Sequence, residues 1–218
     1  SSTPDPDRGY ALAALTGSLN FKNIKASFFK NLIKEKQDEH LFDLSYDYVG
    51  DLAETISLLW DQEKSGNMPR PSSLFENLKK AKTDELNNYI INILNISTAD
   101  QRWAFIKLFT GGLRIGVSSR LVKQALANYG NVDLEEIEKI WHGLHFPYIN
   151  LFSWLENKGS KPKISIYDIF HPMMLAHPLV MEKDLGAGNI EDFIAEYKWD
   201  GIRVQIVSHF QGCRLYSR

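Results

Sequence analysis

The sequence predicts a mainly α chain: an all-helical unit over residues 1–155, a linker over 156–169, and the start of a β-containing unit over 170–218. Two observations carry this. Through residues 10–156, apolar residues recur at helical spacing behind recognisable capping residues. After Trp154 the chain turns to Lys, Gly and Pro, and then to short runs of β-branched and aromatic residues.

In chain order, residues 46–60 (YDYVGDLAETISLLW) come after Ser45, a good N-cap, and place Val49, Leu52, Ala53, Ile56 and Leu59 on one stripe, so one helix is expected there. Residues 64–72 (KSGNMPRPS) read as a loop. Thr98-Ala-Asp-Gln101 has the capping-box form and opens a helix to about Phe109, which Gly111 and Gly112 would close. Ser118 or Ser119 can cap the next helix, ending near Gly130, and Asp133 caps another to about Trp141. Residues 156–163 (ENKGSKPK) have a linker's composition. Residues 193–198 (FIAEYK) and 202–208 (IRVQIVS) read as strands about the turn pair Asp200-Gly201, and Gln211-Gly212 signals a further hairpin. Alternation would put Glu196 and Lys198 on one face, and Arg203, Gln205 and Val207 on one face of the next strand.

Composition bounds the rest. The chain has 218 residues, 44% of them hydrophobic, with no apolar stretch long enough to span a bilayer. Cys213 stands alone and cannot form an internal disulfide, which fits a reducing compartment. A formal net charge of −2 gives no global attraction to nucleic acid, so any DNA binding must come from a local patch.

Two segments carry chemistry. Residues 196–203 (EYKWDGIR) contain the pattern K-x-D-G-x-R, which sets an amine (Lys198), a carboxylate (Asp200), a flexible turn (Gly201) and a fixed cation (Arg203) within six residues. A lysine attacks only as the neutral amine, and desolvation or a neighbouring cation such as Arg203 favours that form. The second segment, 102–123, holds Arg102, Lys107, Arg114, Arg120 and Lys123 and no Asp or Glu. Within it, residues 110–119 (TGGLRIGVSS) form a glycine-bearing loop that enters a helix N-terminus, where free N–H groups favour a phosphate. The bland alternative is a helix–loop–helix corner with surface cations.

These motifs resemble the covalent nucleotidyltransferases. The ordered set DYVGDLAET, FTGGLRIGV, MMLAHP and EYKWDGIR resembles the bacterial multidomain type of ATP-dependent DNA ligase over nearly the whole chain. The resemblance implies a helical DNA-binding domain ahead of an α+β adenylation domain, with ATP and Mg²⁺ used to seal nicked duplex DNA. It implies that Lys198 becomes adenylated and Glu196 helps read adenine, while Arg203 and Arg218 contact the ribose and phosphate region. It also implies that Arg114, Ile115, Gly116, Ser118, Ser119, Arg120 and Lys123 lie against the DNA backbone. The family's later nucleotide-binding motifs and OB-fold domain are absent, as is helix normally found ahead of Pro4. The chain is therefore expected to be an inactive fragment of a cytoplasmic, nucleoid-associated, monomeric enzyme.

Two other readings stay open: a non-enzymatic helical DNA-binding or scaffold module, and an enzyme acting on RNA ends. His142-x-x-His145 has no Cys or carboxylate to complete a metal site, so no metal ligand is assigned. Trp60, Trp103, Trp141 and Trp154 read as core, whereas Trp199 could pack in the core or line a nucleotide pocket.

Overall fold

A computed structural model describes residues 3–19, 21, 24–61, 66–110, 113, 115–171, 178–180, 191, 193–210 and 212–217. The described residues are mainly helical. The helices are α1 (Asp7–Leu15), α2 (Ala26–Lys36), α3 (Glu39–Val49), α4 (Leu52–Leu59), α5 (Pro71–Lys80), α6 (Thr83–Ile96), α7 (Ala99–Thr110), α8 (Ser119–Gly130), α9 (Leu134–Ile140) and α10 (Ile149–Leu155). Short 3₁₀ turns cover Trp141–Gly143 and Ile166–Asp168, and β1 (Val204–His209) pairs antiparallel with β2 (Gly212–Ser217). No helix of the described residues is long and apolar enough to cross a membrane.

Local chemistry sets several boundaries. At Thr98 the reciprocal cap forms, with the Thr98 N–H donating to Gln101 Oε1 at 3.0 Å and the Gln101 N–H to Thr98 Oγ1 at 3.4 Å. The single helix expected over 46–60 is instead two. Gly50 turns left-handed at φ 72°, and the Asp51 carboxylate restarts the chain by accepting the Glu54 N–H at 3.0 Å. Ser45 is interior to α3, its hydroxyl bonded back to the Leu41 carbonyl at 2.7 Å.

The helices enclose two apolar clusters. The first gathers α2 to α7 around Phe29, Ile33, Phe42, Ile56, Ile90 and Phe105. The second joins α8, α9 and α10 through Val122, Leu126, Ile137, Ile140, Leu151 and Leu155. Each such side chain contributes roughly 1.5–3 kcal/mol by leaving water. Helix α1 belongs to both: Tyr10 packs in the first, Leu12 and Ala13 in the second. It fits because Gly9 has no side chain; a Cβ there would clash with the Pro147 carbonyl oxygen.

Of the tryptophans expected in the core, Trp60 is buried, and Trp103, Trp141 and Trp154 pack against the clusters. Trp199 is exposed.

The chain after α10 is pinned to the helices. Lys161 forms an ion pair with Glu136 of α9 and lies 5.7 Å over the Trp154 ring. The Phe170 N–H donates to the Lys139 carbonyl at 3.1 Å. Gln205 of β1 exchanges both side-chain hydrogen bonds with the His171 backbone, at 2.8 and 3.0 Å. The Tyr216 hydroxyl of β2 donates to the Tyr167 carbonyl at 2.6 Å, and its ring lies 4.7 Å from that of His142. Burial pushes the His142 imidazole below its ordinary range, Lys123 adds to this, and Asp168 opposes it. The residue as a whole is exposed, with its ring set against those of Phe170 and Tyr216. Among the described residues no group of three His, Cys, Asp or Glu could hold a metal ion.

Candidate functional site

The strand expected over 193–198 does not form. Residues 193–203 run without regular structure, and the ladder begins only at Val204. A strand needs a neighbour to satisfy its N–H and C=O groups, and no other described strand lies beside this stretch. The hairpin signalled by Gln211-Gly212 does form, as β1 and β2, and Gln205 and Val207 share its more buried face as alternation requires. Gln211 itself lies outside the described residues.

Within the extended stretch Glu196, Lys198, Asp200 and Arg203 are all exposed. Among the described residues none of the four makes a hydrogen bond or ion pair. Tyr197 and Trp199 flank the lysine, exposed and 6.3 Å apart centroid to centroid. Among the described residues the amine, carboxylate and guanidinium therefore stand uncommitted. Ile194 and Ile202 of this stretch, and Ile206 and Leu215 of the hairpin, also face solvent. Arg218, and most of the MMLAHP motif, lie outside the described residues.

The basic corner lies between α7 and α8. Gly116 turns left-handed at φ 74°, and Ser118 caps α8, its Oγ accepting the Leu121 N–H at 3.2 Å. Ile115, Val117, Ser118 and Arg120 are exposed, and Ser119 is half-buried. Arg114, Gly111 and Gly112 lie outside the described residues.

Two of the five cations in this window are used internally, so the sequence overstated the free positive charge. Arg102 is buried, donating to the Trp60 and Ser97 carbonyls. Lys107 is buried in an ion pair with Asp51. Lys123 is half-buried 5.1 Å over the Trp141 ring, where burial pushes its ammonium down against the pull of Glu138.

A groove of about 410 Å³ separates this corner from the end of α1. Its far wall is Thr16 and Gly17, beside Ser18, whose Oγ lies 2.9 Å from Thr16 Oγ1. These hydroxyls were invisible as partners of the corner, because roughly a hundred residues intervene. Gly17, left-handed at φ 68°, was the only local signal that the chain turns there.

Over 131 residues, 59% of the chain, the sequence is 30% identical to a probable DNA ligase of Koribacter versatilis (strain Ellin345). The chain is similar to a DNA ligase. The matched region spans 22% of that relative. No family model matches the chain, and no solved structure matches it.

Proposed function

We propose that this chain is the DNA-engaging and lysine-bearing part of an ATP-dependent DNA ligase that seals nicks in duplex DNA as a monomer in the bacterial cytoplasm. The observation that carries the reading is an uncommitted Lys198 within K-x-D-G-x-R, downstream of a serine-capped basic corner, in a chain similar to a probable DNA ligase.

In this reading the Lys198 amine attacks the α-phosphorus of ATP. A P–N bond forms, the bond to pyrophosphate breaks, and the amine gives up its proton. The AMP then moves to the 5′-phosphate at a nick, and the neighbouring 3′-hydroxyl displaces it as the phosphodiester bond closes. Glu196 reads the adenine, and Arg203 with Arg218 holds the ribose and phosphates. Magnesium supplies charge neutralisation for the triphosphate. Arg114 to Ser119, Arg120 and Lys123 set the DNA backbone, with the exposed Ile115 and Val117 laid along the minor groove.

Incubation of the full-length protein with α-labelled ATP tests this. The expected result is an acid-labile lysine-linked adduct that disappears in Lys198→Ala. Label retained by that variant refutes the assignment. Salt-dependent duplex binding with no labelling at all would leave a helical DNA-binding module.

A further inference from the structure

Charge is segregated on this chain. Residues 39–59, which form α3 and α4, hold Glu39, Asp43, Asp47, Asp51 and Glu54 and no Lys or Arg, the reverse of the basic window at 102–123. On these two helices large apolar side chains face water. Leu41 is 48% exposed, Leu44 57%, Tyr48 93% and Leu58 66%.

Leu41, Leu44 and Tyr48 recur at i, i+3 and i+7, one face of α3 across about 10 Å. Between that ridge and Leu58 of α4 lies a groove of about 330 Å³, walled further by Ser45, Val49, Thr55 and Leu59. A contiguous apolar stripe with a recessed floor, rimmed by charge, is the form of a helix-binding groove.

The rim decides what fits. Glu39 and Asp43 are already paired with Lys34. Asp47, next to Tyr48, and Glu54, one turn before Leu58, are exposed, and their carboxylates have no ion-pair partner among the described residues. A phosphate backbone would be repelled here, and a second copy would set acid against acid across a self-complementary face. We propose that this groove docks an amphipathic helix of a protein partner, with Leu-type anchors at i, i+3 or i+4, and i+7, flanked by Lys or Arg. The inference stands apart from the ligase reading and uses no residue to which that reading gives a role.

Fluorescence anisotropy on the full chain provides the test, using a labelled Leu/Lys peptide of about fourteen residues with that anchor spacing. Controls are a scrambled peptide of equal charge and a Leu/Glu peptide of the same pattern. The expected result is saturable binding of the first, at least about tenfold tighter than either control. Leu44→Ser with Leu58→Ser should weaken it about tenfold or more, and Asp47→Asn with Glu54→Gln should flatten its salt dependence. All four positions are exposed, so unchanged circular dichroism and thermal unfolding would confirm intact variants. Equal binding of the scrambled peptide, or binding indifferent to Leu44 and Leu58, overturns the proposal. So does a concentration-dependent dimer abolished by the serine substitutions, or loss of duplex DNA binding in them.

Discussion

Asp51 carries two jobs that substitution can separate. Its Oδ1 caps α4 through the Glu54 N–H, and its Oδ2 pairs with the Lys107 ammonium of α7. The Lys107 side chain is only 9% exposed and that of Asp51 28%. Breaking a fully buried pair from one side costs about 3–5 kcal/mol. Here water reaches Asp51, and Lys107 keeps the face of Trp103 at 5.8 Å, so about 2 kcal/mol is expected for Asp51→Asn, which retains a cap. Asp51→Ala also loses the cap and should cost about 3 kcal/mol. Lys107→Met leaves a capped, wetted carboxylate and should cost about 1 kcal/mol. The double variant Asp51→Asn/Lys107→Met should recover most of the loss, because no charge is then stranded. Urea unfolding followed by circular dichroism at neutral pH measures all four proteins. Burial pushes the Asp51 carboxyl up, but Lys107 and the helix N–H groups outweigh it and hold the group below its ordinary range. Its stabilisation is therefore present above the unfolded value of about 4 and lost as pH falls through the lower folded one. The acid limb of the stability curve should flatten in Asp51→Asn. Single losses that simply add in the double variant, within about 0.5 kcal/mol, would refute the coupling.

Further outcomes rest on other contacts. Hydrogen bonds from Arg8, then Lys158, hold the Glu156 carboxyl at about 2, so the tie between α1 and the end of α10 should persist above pH 4.5 and fail as pH falls toward 2. Glu156→Gln should remove that acid transition, read by circular dichroism across the range. Gly9→Ala should destabilise by about 3 kcal/mol or more, since the clash is with backbone at Pro147 rather than a movable side chain; denaturant midpoints would show it. On the proposed DNA-binding reading, Arg120→Gln should weaken duplex binding evenly across sequences and reduce the slope of log K against log salt by about 1, measured by anisotropy at several salt concentrations.

Much of the helical part was legible because caps are local. Thr98 with Gln101, and Ser118, cap the helices they announced, whereas Asp133 stands at the start of α9 without a side-chain cap bond. The break at Gly50 was missed because the apolar stripe keeps helical phase across it. The usable signal was a glycine followed at once by a capping aspartate. The basic window misled for another reason. Sequence counts charges but cannot tell which are committed, and Arg102 and Lys107 serve the α4–α7 packing. The strand expected around Lys198 depends on a distant pairing partner, which propensity alone does not supply. Composition set 156–163 apart from the helices, and no helix runs through them, but it gave no sign that Lys161 ties the segment back to α9.

Because α1 lodges in both apolar clusters, the first helix of the chain acts as a rivet between the helices on either side of the basic corner. A backbone cut between residues 113 and 117 would separate the polypeptide without separating the protein. The two pieces should co-purify, and the corner can be cleaved, lengthened or tagged while its flanking helices stay in register.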